Sequence, residues 1–371
     1  MLKNLLQKSI LFSRQEVAEY QKIKLLMNKN LKFLCNGTYK TLTTGKRISY
    51  IADKKNMKFI NQSFKQLNKN KKTISSSIVI RVKIILSTFI FIRIGTVLES
   101  SFKGSIIMLL YGNGVKIFDL ENKKVLTNYD FNFVTYQKIK NAHDYFMKYF
   151  KTTIIEFCDE NLIFIERYLD FIPSVEWSSQ DKENCFISLI NSYLNYIKNF
   201  NKGKITTESP QELLRKIITT KKSFEKTELF QLLKKIIIQC TYEFERILIH
   251  GDLKMDNILL YKDEFYLIDF ELSRECIFFH DILNFLVFDA LNIQDMSYLN
   301  NFLNGEYDIY FKKIFEAFGN DYKENNKIIY LTTYVLEKIT YFEDLEILAE
   351  SLHYEKYLNL MKYISEYYKI A

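Results

Sequence analysis

The sequence contains few of the residues that bend or cross-link a chain. It has 2 prolines and 10 glycines in 371 residues, and this scarcity beside so many lysines, asparagines and isoleucines indicates a compositional bias. The 4 histidines are widely separated, which argues against a zinc site. The cysteines are odd in number, lack a Cys-x-x-Cys spacing and lie in or beside apolar runs. We therefore expect buried free thiols in a reducing cytoplasm at Cys35, Cys158, Cys185, Cys240 and Cys276.

Long uninterrupted hydrophobic runs are also missing. The most apolar window, residues 76–98, is interrupted by Arg81, Lys83 and Arg93. Its longest uncharged piece, Ile84 to Ile92, is far shorter than the roughly 20 residues that a membrane-spanning helix needs. The first twelve residues lack the apolar core and cleavage site of a secretory signal. We expect a cytoplasmic protein, and the apolar fraction of 48% indicates a globular one.

Acidic residues are rare in the first 75 positions, which hold 17 Lys and Arg against 3 Asp and Glu, a net charge of +14. Such a surface attracts anionic lipid headgroups, glycan phosphates or an acidic substrate. Nucleic acid would use the same charge but ranks last, because charge alone supports it. A solvated face enlarged by the lysine bias is the simpler interpretation. The Asn-rich stretch Lys65–Lys72 is the best candidate for a linker.

Short β-rich runs follow from residue 76 to residue 130, and turns at 112–114 and 121–123 separate the last three of them. The turn at 112–114 contains Gly112 and Gly114, which could let backbone N–H groups approach a phosphate. An Asn-Gly sequence is, however, first of all a hairpin turn. A further hairpin is predicted at 154–167, and after Pro173 the pattern is helical apart from the hairpins around residue 250.

Two polar clusters between His250 and Glu271 stand on this framework. The first is His250, Gly251, Asp252, Lys254 and Asn257, flanked by the apolar runs 247–249 and 258–260. The second is Asp269 and Glu271, which follow the apolar strand 265–268. One carboxylate can orient an acceptor hydroxyl, while an amide oxygen and a second carboxylate are hard ligands that suit Mg²⁺. Turn chemistry is the alternative explanation of an Asp-Asn pair in a loop.

The pattern H-G-D-x-x-x-x-N followed by I-D-F-E resembles the aminoglycoside phosphotransferase and choline kinase family, which shares the protein-kinase fold. The resemblance implies that Asp252 is the catalytic base and that His250 anchors the loop. It implies Asn257 and Asp269 as metal ligands, to which Glu271 could add a carboxylate. Asp281 matches an aspartate that opens a helix and steadies the catalytic loop, and Lys254 could touch the transferred phosphate.

The resemblance is weaker in the nucleotide-binding part. The family places a lysine in the third strand and a glutamate on the next helix, but the strand here reads V-L-T-N-Y and the helix from about 132 to 150 has no glutamate. Lys116 and Lys124 are the nearest candidates for the lysine. Glu166, at the end of a strand similar to the family's hinge, is a candidate for the nucleotide site, with an ordinary exposed pair beside Arg167 as the alternative.

We therefore predict an α+β, protein-kinase-like, two-lobed fold: a basic N-terminal extension (1–75), a small antiparallel β lobe that binds nucleotide (76–170) and a larger helical lobe with the catalytic loop (171–371). The predicted function is transfer of phosphate from ATP, with Mg²⁺, to a hydroxyl of a small molecule or glycan. Only eleven residues separate Asp269 from Asp281, which leaves no room for the activation segment of a protein kinase. A pseudokinase scaffold and an atypical protein kinase are the alternatives.

Overall fold

The protein divides into two compact units in a computed structural model. The described residues are 14–42, 48–60, 91–94, 102–110, 114–129, 133–200, 205–238, 240–344 and 350–369. Unit 1 comprises Met1–Asp144, Lys151–Ser178 and Ile258–Ile268, and unit 2 comprises Tyr145–Phe150, Ser179–Asn257 and Asp269–Ala371. Among the predicted segments, the linker 65–72 and the strand at 78–80 lie outside the described residues. The domain boundaries at 75 and 170 stay a prediction.

Unit 1 is built on an eight-stranded antiparallel sheet in the order β3-β1-β2-β4-β5-β6-β8-β7. Its strands are β1 (Gly37–Leu42), β2 (Ile48–Ile51), β3 (Phe91–Ile94), β4 (Ile106–Leu109), β5 (Val115–Asp119), β6 (Lys124–Asn128), β7 (Ile154–Cys158) and β8 (Ile163–Arg167). The runs predicted at 106–111, 115–119, 125–129, 154–157 and 162–167 each overlap one of the strands β4 to β8, and their bounds agree within two residues. The sheet also takes two strands from the basic first 75 residues.

Side chains of successive strand residues face opposite sides of this sheet, and both sides are apolar. Ile107, Ile117 and Leu126 belong to a core that also includes Tyr20, Ile23, Leu26 and Met27. These four residues belong to helix α1 (Arg14–Lys29), which therefore covers that face. Ile106, Phe118 and Val125 belong to a second core with Tyr50, Phe59 and Tyr168. The described residues between 20 and 60 are thus part of the folded unit through apolar side chains of both cores.

Helix α2 (Phe133–Phe146) follows β6, as the sequence predicts, and ends earlier than the predicted residue 150. The small hairpin of β11 (Ile258–Tyr261) and β12 (Glu264–Leu267) also belongs to unit 1. Its strands pair from Ile258 with Leu267 to Tyr261 with Glu264. Leu267 and Leu260 continue the pairing to Thr152 and Ile172 through isolated bridges.

Unit 2 is largely helical. Its helices are α3 (Ser179–Lys198), α4 (Pro210–Thr220), α5 (Glu228–Ile237), α6 (His280–Ile293), α7 (Ser297–Leu303), α8 (Asp308–Phe318), α9 (Lys327–Asp344) and α10 (Glu350–Tyr367). Ser209 and Glu212 form a capping box at the start of α4, where Pro210 is the first helical residue. Helix α6 is buried on nearly all sides from His280 to Val287, as its apolar sequence predicts.

A three-stranded sheet supports the predicted catalytic loop, in the order β13-β10-β9. Strands β10 (Phe244–Ile249) and β13 (Arg274–Ile277) flank the segment 250–273, and β9 (Thr206–Glu208) pairs with β10. The prediction that the chain after Pro173 is helical apart from the hairpins was wrong at β13 and at β9. Its sequence, Thr-Thr-Glu, is too short and polar to give a strand pattern, and pairing with β10 forms it.

All five cysteines are free thiols. Cys185, Cys240 and Cys276 are buried as expected, but Cys35 and Cys158 are half-buried, which corrects the prediction for these two. Cys158 is the last residue of β7 and packs against the first core, and Cys35 lies just before β1. Among the described residues, no helix combines the length and the low polarity needed to cross a membrane.

Candidate active site

The predicted catalytic loop of unit 2 is fastened by one carboxylate. Asp281, the second residue of α6, accepts hydrogen bonds from the backbone N–H groups of His250 (2.7 Å) and Gly251 (2.9 Å). Gly251 adopts a left-handed conformation with φ of 82°. A Cβ there would lie 2.1 Å from the carbonyl oxygen of Leu272, so only glycine fits. Asp281 thus contacts the loop that the sequence resemblance assigns it to steady, and its role there stays a prediction.

The three polar side chains of the loop meet at the carboxylate of Asp252. Its Oδ2 accepts from Lys254 Nζ at 2.5 Å and from Asn257 Nδ2 at 3.0 Å, and Asn257 Nδ2 also donates to the Asp252 carbonyl at 2.8 Å. Both Asp252 and Lys254 keep 21% of their side chains exposed. Because Asn257 uses its NH₂ group on Asp252, its amide oxygen is the atom that can bind a cation. Asn257 is itself buried.

His250 lies beneath the loop. Its side chain is buried, its Nδ1 accepts from the N–H of Asp252 at 3.3 Å, and its ring lies 5.1 Å from that of Phe270. Asp269 directly precedes Phe270 and adopts a left-handed conformation, φ 63° and ψ 64°, which is uncommon for any residue but glycine. Asp269 begins a short 3-10 turn, Phe270–Leu272, that contains Glu271. The contact between Phe270 and His250 brings this turn to the loop.

Three polar residues that support the loop were not predicted. Asn284, one turn after Asp281 on α6, donates to the Leu253 carbonyl at 2.8 Å and accepts from the Tyr334 hydroxyl at 3.0 Å. Arg274 and Lys338 both reach the carbonyl oxygen of Gly251. The signal for Asn284 is a polar residue in an otherwise apolar helical run, which the sequence does show, whereas Lys338 follows Glu337 and gives no such signal.

Burial and hydrogen bonds set the charges around Asp281. Burial alone would raise the pKa of Asp281, but the imidazole rings of His280 and His250 and the backbone N–H of His250 outweigh it and lower the pKa. The carboxylate is therefore ionised where it holds the loop. Burial lowers the pKa of His280 to about 3. His280 is accordingly neutral at physiological pH.

Unit 1 contains a second lysine–carboxylate pair. Lys116 on β5 lies directly opposite Thr127 on β6, the position at which the sequence resemblance predicts a lysine. Its Nζ is 3.7 Å from Oε2 of Glu166 on β8, and the two side chains are 11% and 7% exposed. Glu166 also accepts from the hydroxyls of Thr127 (3.2 Å) and Thr153 (2.8 Å). The alternative of an exposed Glu166 beside Arg167 was therefore wrong, because Glu166 points into the sheet face that carries Lys116.

The predicted glycine turn is described only in part, since Gly112 lies outside the described residues. Strands β4 and β5 pair as a hairpin, and the Gly114 carbonyl accepts from the N–H of Leu110 at 2.8 Å. A Cβ on Gly114 would lie 3.2–3.3 Å from Tyr129, Asn128 and Leu110. The hairpin interpretation of this turn agrees with the pairing. A phosphate-binding role of Gly112 and Gly114 stays a prediction.

A magnesium ion would find oxygen ligands but no preformed cage. Among the described residues, no group of three His, Cys, Asp or Glu side chains could hold a metal ion. The predicted set is instead the amide oxygen of Asn257 with the carboxylates of Asp269 and Glu271. Mg²⁺ commonly binds one or two carboxylates and takes its remaining ligands from substrate phosphates and water. The donor set fits that use of the ion.

Comparisons with known proteins give three results. A sequence profile of the RIO domain matches residues 211–299, from α4 into α7. No protein of curated function matches the chain. Several solved structures resemble it at low identity. A choline/ethanolamine kinase family protein from Mesorhizobium loti is 9% identical, with a TM-score of 0.43, over 70% of this chain and 87% of that one.

Two further structures resemble the chain to the same degree. Choline kinase LicA from Streptococcus pneumoniae is 14% identical, with a TM-score of 0.41, over 68% of this chain and 90% of its own. An aminoglycoside phosphotransferase from Streptomyces rimosus is 10% identical, with a TM-score of 0.37, over 68% and 92%. The chain thus resembles choline kinase and aminoglycoside phosphotransferase structures, and it has the α+β architecture of an antiparallel sheet unit and a helical unit.

Proposed function

We propose that the protein is an ATP-dependent phosphotransferase that phosphorylates a hydroxyl group of a small molecule or glycan. The observation that carries this proposal is the arrangement on the loop of unit 2. The Asp252 carboxylate is held by Lys254 and Asn257, and Asp281 fastens the backbone just before it. Turn chemistry alone requires neither the lysine contact nor a buried aspartate from another helix.

The two oxygens of Asp252 have different roles in this proposal. Lys254 and Asn257 both bond to Oδ2, and within the described part of the chain no side chain bonds to Oδ1. Oδ1 would accept the hydrogen bond of the acceptor hydroxyl, orient its oxygen and take its proton as transfer proceeds. Lys254 would offset the negative charge on the transferred group. It is steadied by the ring of Phe288, 5.0 Å from Nζ.

Asn257 and Asp269 would hold Mg²⁺, with Glu271 as an additional carboxylate. When bound, the ion would neutralise the β- and γ-phosphates of the nucleotide and keep them in place. Asn257 is preorganised for this role because its NH₂ group is already fixed on Asp252. Lys116 is our candidate for a lysine on the nucleotide phosphates, with Glu166 and the turn glycines as further candidates.

A small acceptor agrees with the chain between Asp269 and Asp281. The 3-10 turn Phe270–Leu272 and strand β13 occupy these residues, and α6 begins at His280. No segment is left to bind a peptide or to be switched by phosphorylation. The loop motif by itself is compatible with a choline-like, aminoglycoside-like or sugar acceptor. The basic residues of the first 75 positions favour an anionic or membrane-associated acceptor.

Two alternatives rest on particular observations. The match of residues 211–299 to a RIO domain keeps an atypical kinase in consideration, and phosphorylation of a peptide would favour it. Thr127 at the expected lysine position keeps a scaffold without catalysis in consideration. Against the scaffold, Asp252, Asn257 and Lys254 are assembled in contact, which a scaffold does not need.

Thermal unfolding with and without nucleotide tests the proposal. A ligand that binds only the folded state stabilises it and so raises the melting temperature. At a ligand concentration of a hundred times the Kd, the stabilisation is about 2.7 kcal/mol. We expect a shift with ATP or GTP that requires Mg²⁺ and is lost in Asp269→Ala. Asp263→Ala is the matched control, because Asp263 also has a left-handed backbone (φ 61°) but lies in the exposed turn of the β11–β12 hairpin.

A shift that persists in Asp269→Ala would remove Asp269 from the metal site. No shift with either nucleotide at millimolar concentration would contradict the phosphotransferase and favour the scaffold. A Mg²⁺-dependent shift would be followed by a screen of amino alcohols, aminoglycosides, sugars and a generic peptide, with ATP consumption as the readout.

A further inference from the structure

Lys338 is a buried cation behind the catalytic loop. It lies on α9, with 8% of its surface exposed. Its Nζ donates to the carbonyl oxygen of Gly251 at 3.5 Å and lies 5.8 Å from the ring centre of Tyr334. Removing an ammonium group from water is costly unless its surroundings compensate, so lysine is rarely buried in this way. A leucine or methionine would fill the same space at lower cost.

A second cation, Arg274, converges on the same carbonyl oxygen. Its Nη1 lies 3.5 Å from Gly251 O and 3.4 Å from Leu272 O. The guanidinium is held in place by Tyr341, whose ring centre is 3.9 Å from Cζ. Both contacts are long for single hydrogen bonds, so their effect is mainly the attraction of two positive charges for one carbonyl dipole.

The Gly251 carbonyl belongs to the peptide bond that joins Gly251 to Asp252. The N–H of this same peptide donates to His250 Nδ1, and the N–H of the preceding peptide donates to Asp281. The N–H groups of these two successive peptides therefore both donate to acceptors. The carbonyl oxygen of the second peptide, Gly251 O, also faces two cations, Lys338 and Arg274. Rotation of either peptide would move the Asp252 side chain.

We propose that Lys338, together with Arg274, is a positioning residue that fixes the Gly251–Asp252 peptide and thereby the direction of the Asp252 carboxylate. The proposal rests on the phosphotransferase function, and it names Lys338 as a residue on which turnover depends without contact to nucleotide or acceptor. It also explains why a lysine is kept at a site where an apolar residue would be less costly.

The charges around Lys338 make the hold on the loop dependent on pH. Burial, and then the charge of Arg274, lower the pKa of Lys338 to about 8, while Asp252, Cys276 and Asp281 act in the opposite direction. Of the other titratable groups nearby, His280 has its pKa lowered by burial, and burial raises the pKa of Tyr357. Lys338 is therefore charged below about pH 8 and neutral above it. The attraction for Gly251 O weakens as the pH rises through that value.

Stability rises with pH, whereas the attraction of Lys338 for the Gly251 carbonyl falls with pH. The folded protein has the lower pKa, so between about pH 8 and the ordinary lysine value the unfolded chain binds the extra proton and stability rises with pH. Below pH 8 the buried charge is a cost to folding. Lys338→Met should therefore melt at the same or a higher temperature than the natural protein at pH 7. A lysine kept only for structure would give a lower melting temperature.

The test compares Lys338→Met, Lys338→Arg and the natural full-length chain, with Lys327→Met as a control. Lys327 is a second buried lysine of α9, but it pairs with Asp308 at 2.8 Å and donates to the Leu303 carbonyl. Three quantities are measured from pH 6 to 10: melting temperature, kcat for Mg²⁺-ATP with water as the acceptor, and amide exchange of the peptide that covers residues 248–257.

In Lys338→Met we expect kcat about tenfold lower at pH 7, an unchanged KM for ATP, and no fall of kcat above pH 8. Exchange of the Gly251 and Asp252 amides should be about tenfold faster in this variant. Lys338→Arg should restore kcat and keep it up to pH 10, because arginine stays charged. Lys327→Met should lower the melting temperature and leave kcat and loop exchange unchanged.

The proposal is overturned if Lys338→Met keeps natural kcat and loop exchange, or if Lys327→Met and Lys338→Met change both equally. If the natural protein neither turns over ATP nor binds it, the phosphotransferase fails. The exchange measurement then still decides whether Lys338 holds the Gly251–Asp252 peptide.

Discussion

The catalytic loop of unit 2 and the central strands of unit 1 each pair a carboxylate with a lysine, but by different means. On the loop, Asp252 and Lys254 are two residues apart, their contact is 2.5 Å, and each is 21% exposed. In the sheet, Lys116 and Glu166 are fifty residues apart, their contact is 3.7 Å, and they are 11% and 7% exposed. The first pair is thus partly exposed, whereas the second is largely buried.

The difference shows where each pair obtains its geometry. The loop pair depends on local backbone conformation, fixed by Gly251 and Asp281. The sheet pair depends on strand register, which places Lys116 opposite Thr127 and Glu166 on the strand beyond. Loss of a partly exposed loop side chain such as Asp252 should therefore change activity more than stability, and loss of one of the buried sheet side chains should change both.

The largest effect is expected for Asp252→Asn. The amide cannot take a proton from the acceptor, so turnover should fall by about 10²- to 10⁴-fold. The melting temperature should change little, because Asp252 is partly exposed and asparagine can still accept from Asn257. Steady-state ATP turnover and thermal unfolding measure the two quantities. Asp256→Asn, in the same loop segment, is the control and should keep its activity. Natural turnover in Asp252→Asn would show that Asp252 is not the catalytic base.

Gly251→Ala should give the next largest effect, as a loss of stability. A methyl group would lie 2.1 Å from the Leu272 carbonyl oxygen, in addition to the left-handed backbone at φ 82°. We expect a loss of about 3 kcal/mol or more, measured by denaturant unfolding. Gly319→Ala separates the two causes, because Gly319 has φ of 81° and nothing within 4 Å of its Cβ. That variant should lose only about 1 kcal/mol.

Equal losses at Gly251 and Gly319 would show that the loop can relax around a methyl group. The catalytic loop would then be less tightly held than its contacts indicate, and the comparison with the sheet would lose its basis.

The smallest effect is expected in the sheet, for Lys116→Met. The change leaves Glu166 buried beside the Thr127 and Thr153 hydroxyls without a cation from Lys116, at a cost of about 1–3 kcal/mol. If Lys116 also binds the nucleotide phosphates, the shift of melting temperature with Mg²⁺-ATP should fall as for an affinity about tenfold lower. Lys124→Met is the control, since Lys124 is the neighbouring candidate and should change neither quantity.

The double variant Lys116→Met/Glu166→Gln separates the two roles of the pair. It should recover most of the lost stability, because no unpaired carboxylate remains, but not the nucleotide shift. Recovery of both would mean that Lys116 serves the sheet alone.

Much of the fold could be predicted from sequence. The strands 115–119 and 163–167 and the helix after Asp281 have strong periodic patterns, and the structure has them within one or two residues. Strand β9 could not be predicted, because its three residues become a strand only by pairing with β10. The half-buried state of Cys35 and Cys158 likewise could not be predicted, because it depends on how neighbouring elements pack around each residue.

The same division holds for the candidate site. The loop residues from His250 to Asn257, together with Asp269 and Asp281, could be selected as candidates from their order along the chain, because a loop of this kind acts through residues that are close in sequence. The contacts of Lys116 with Glu166, of Asn284 with Leu253, and of Arg274 and Lys338 with the Gly251 carbonyl are visible only in the folded molecule. The physical reason is that strand register and helix packing join residues tens of positions apart, and no local pattern of side chains encodes such a contact.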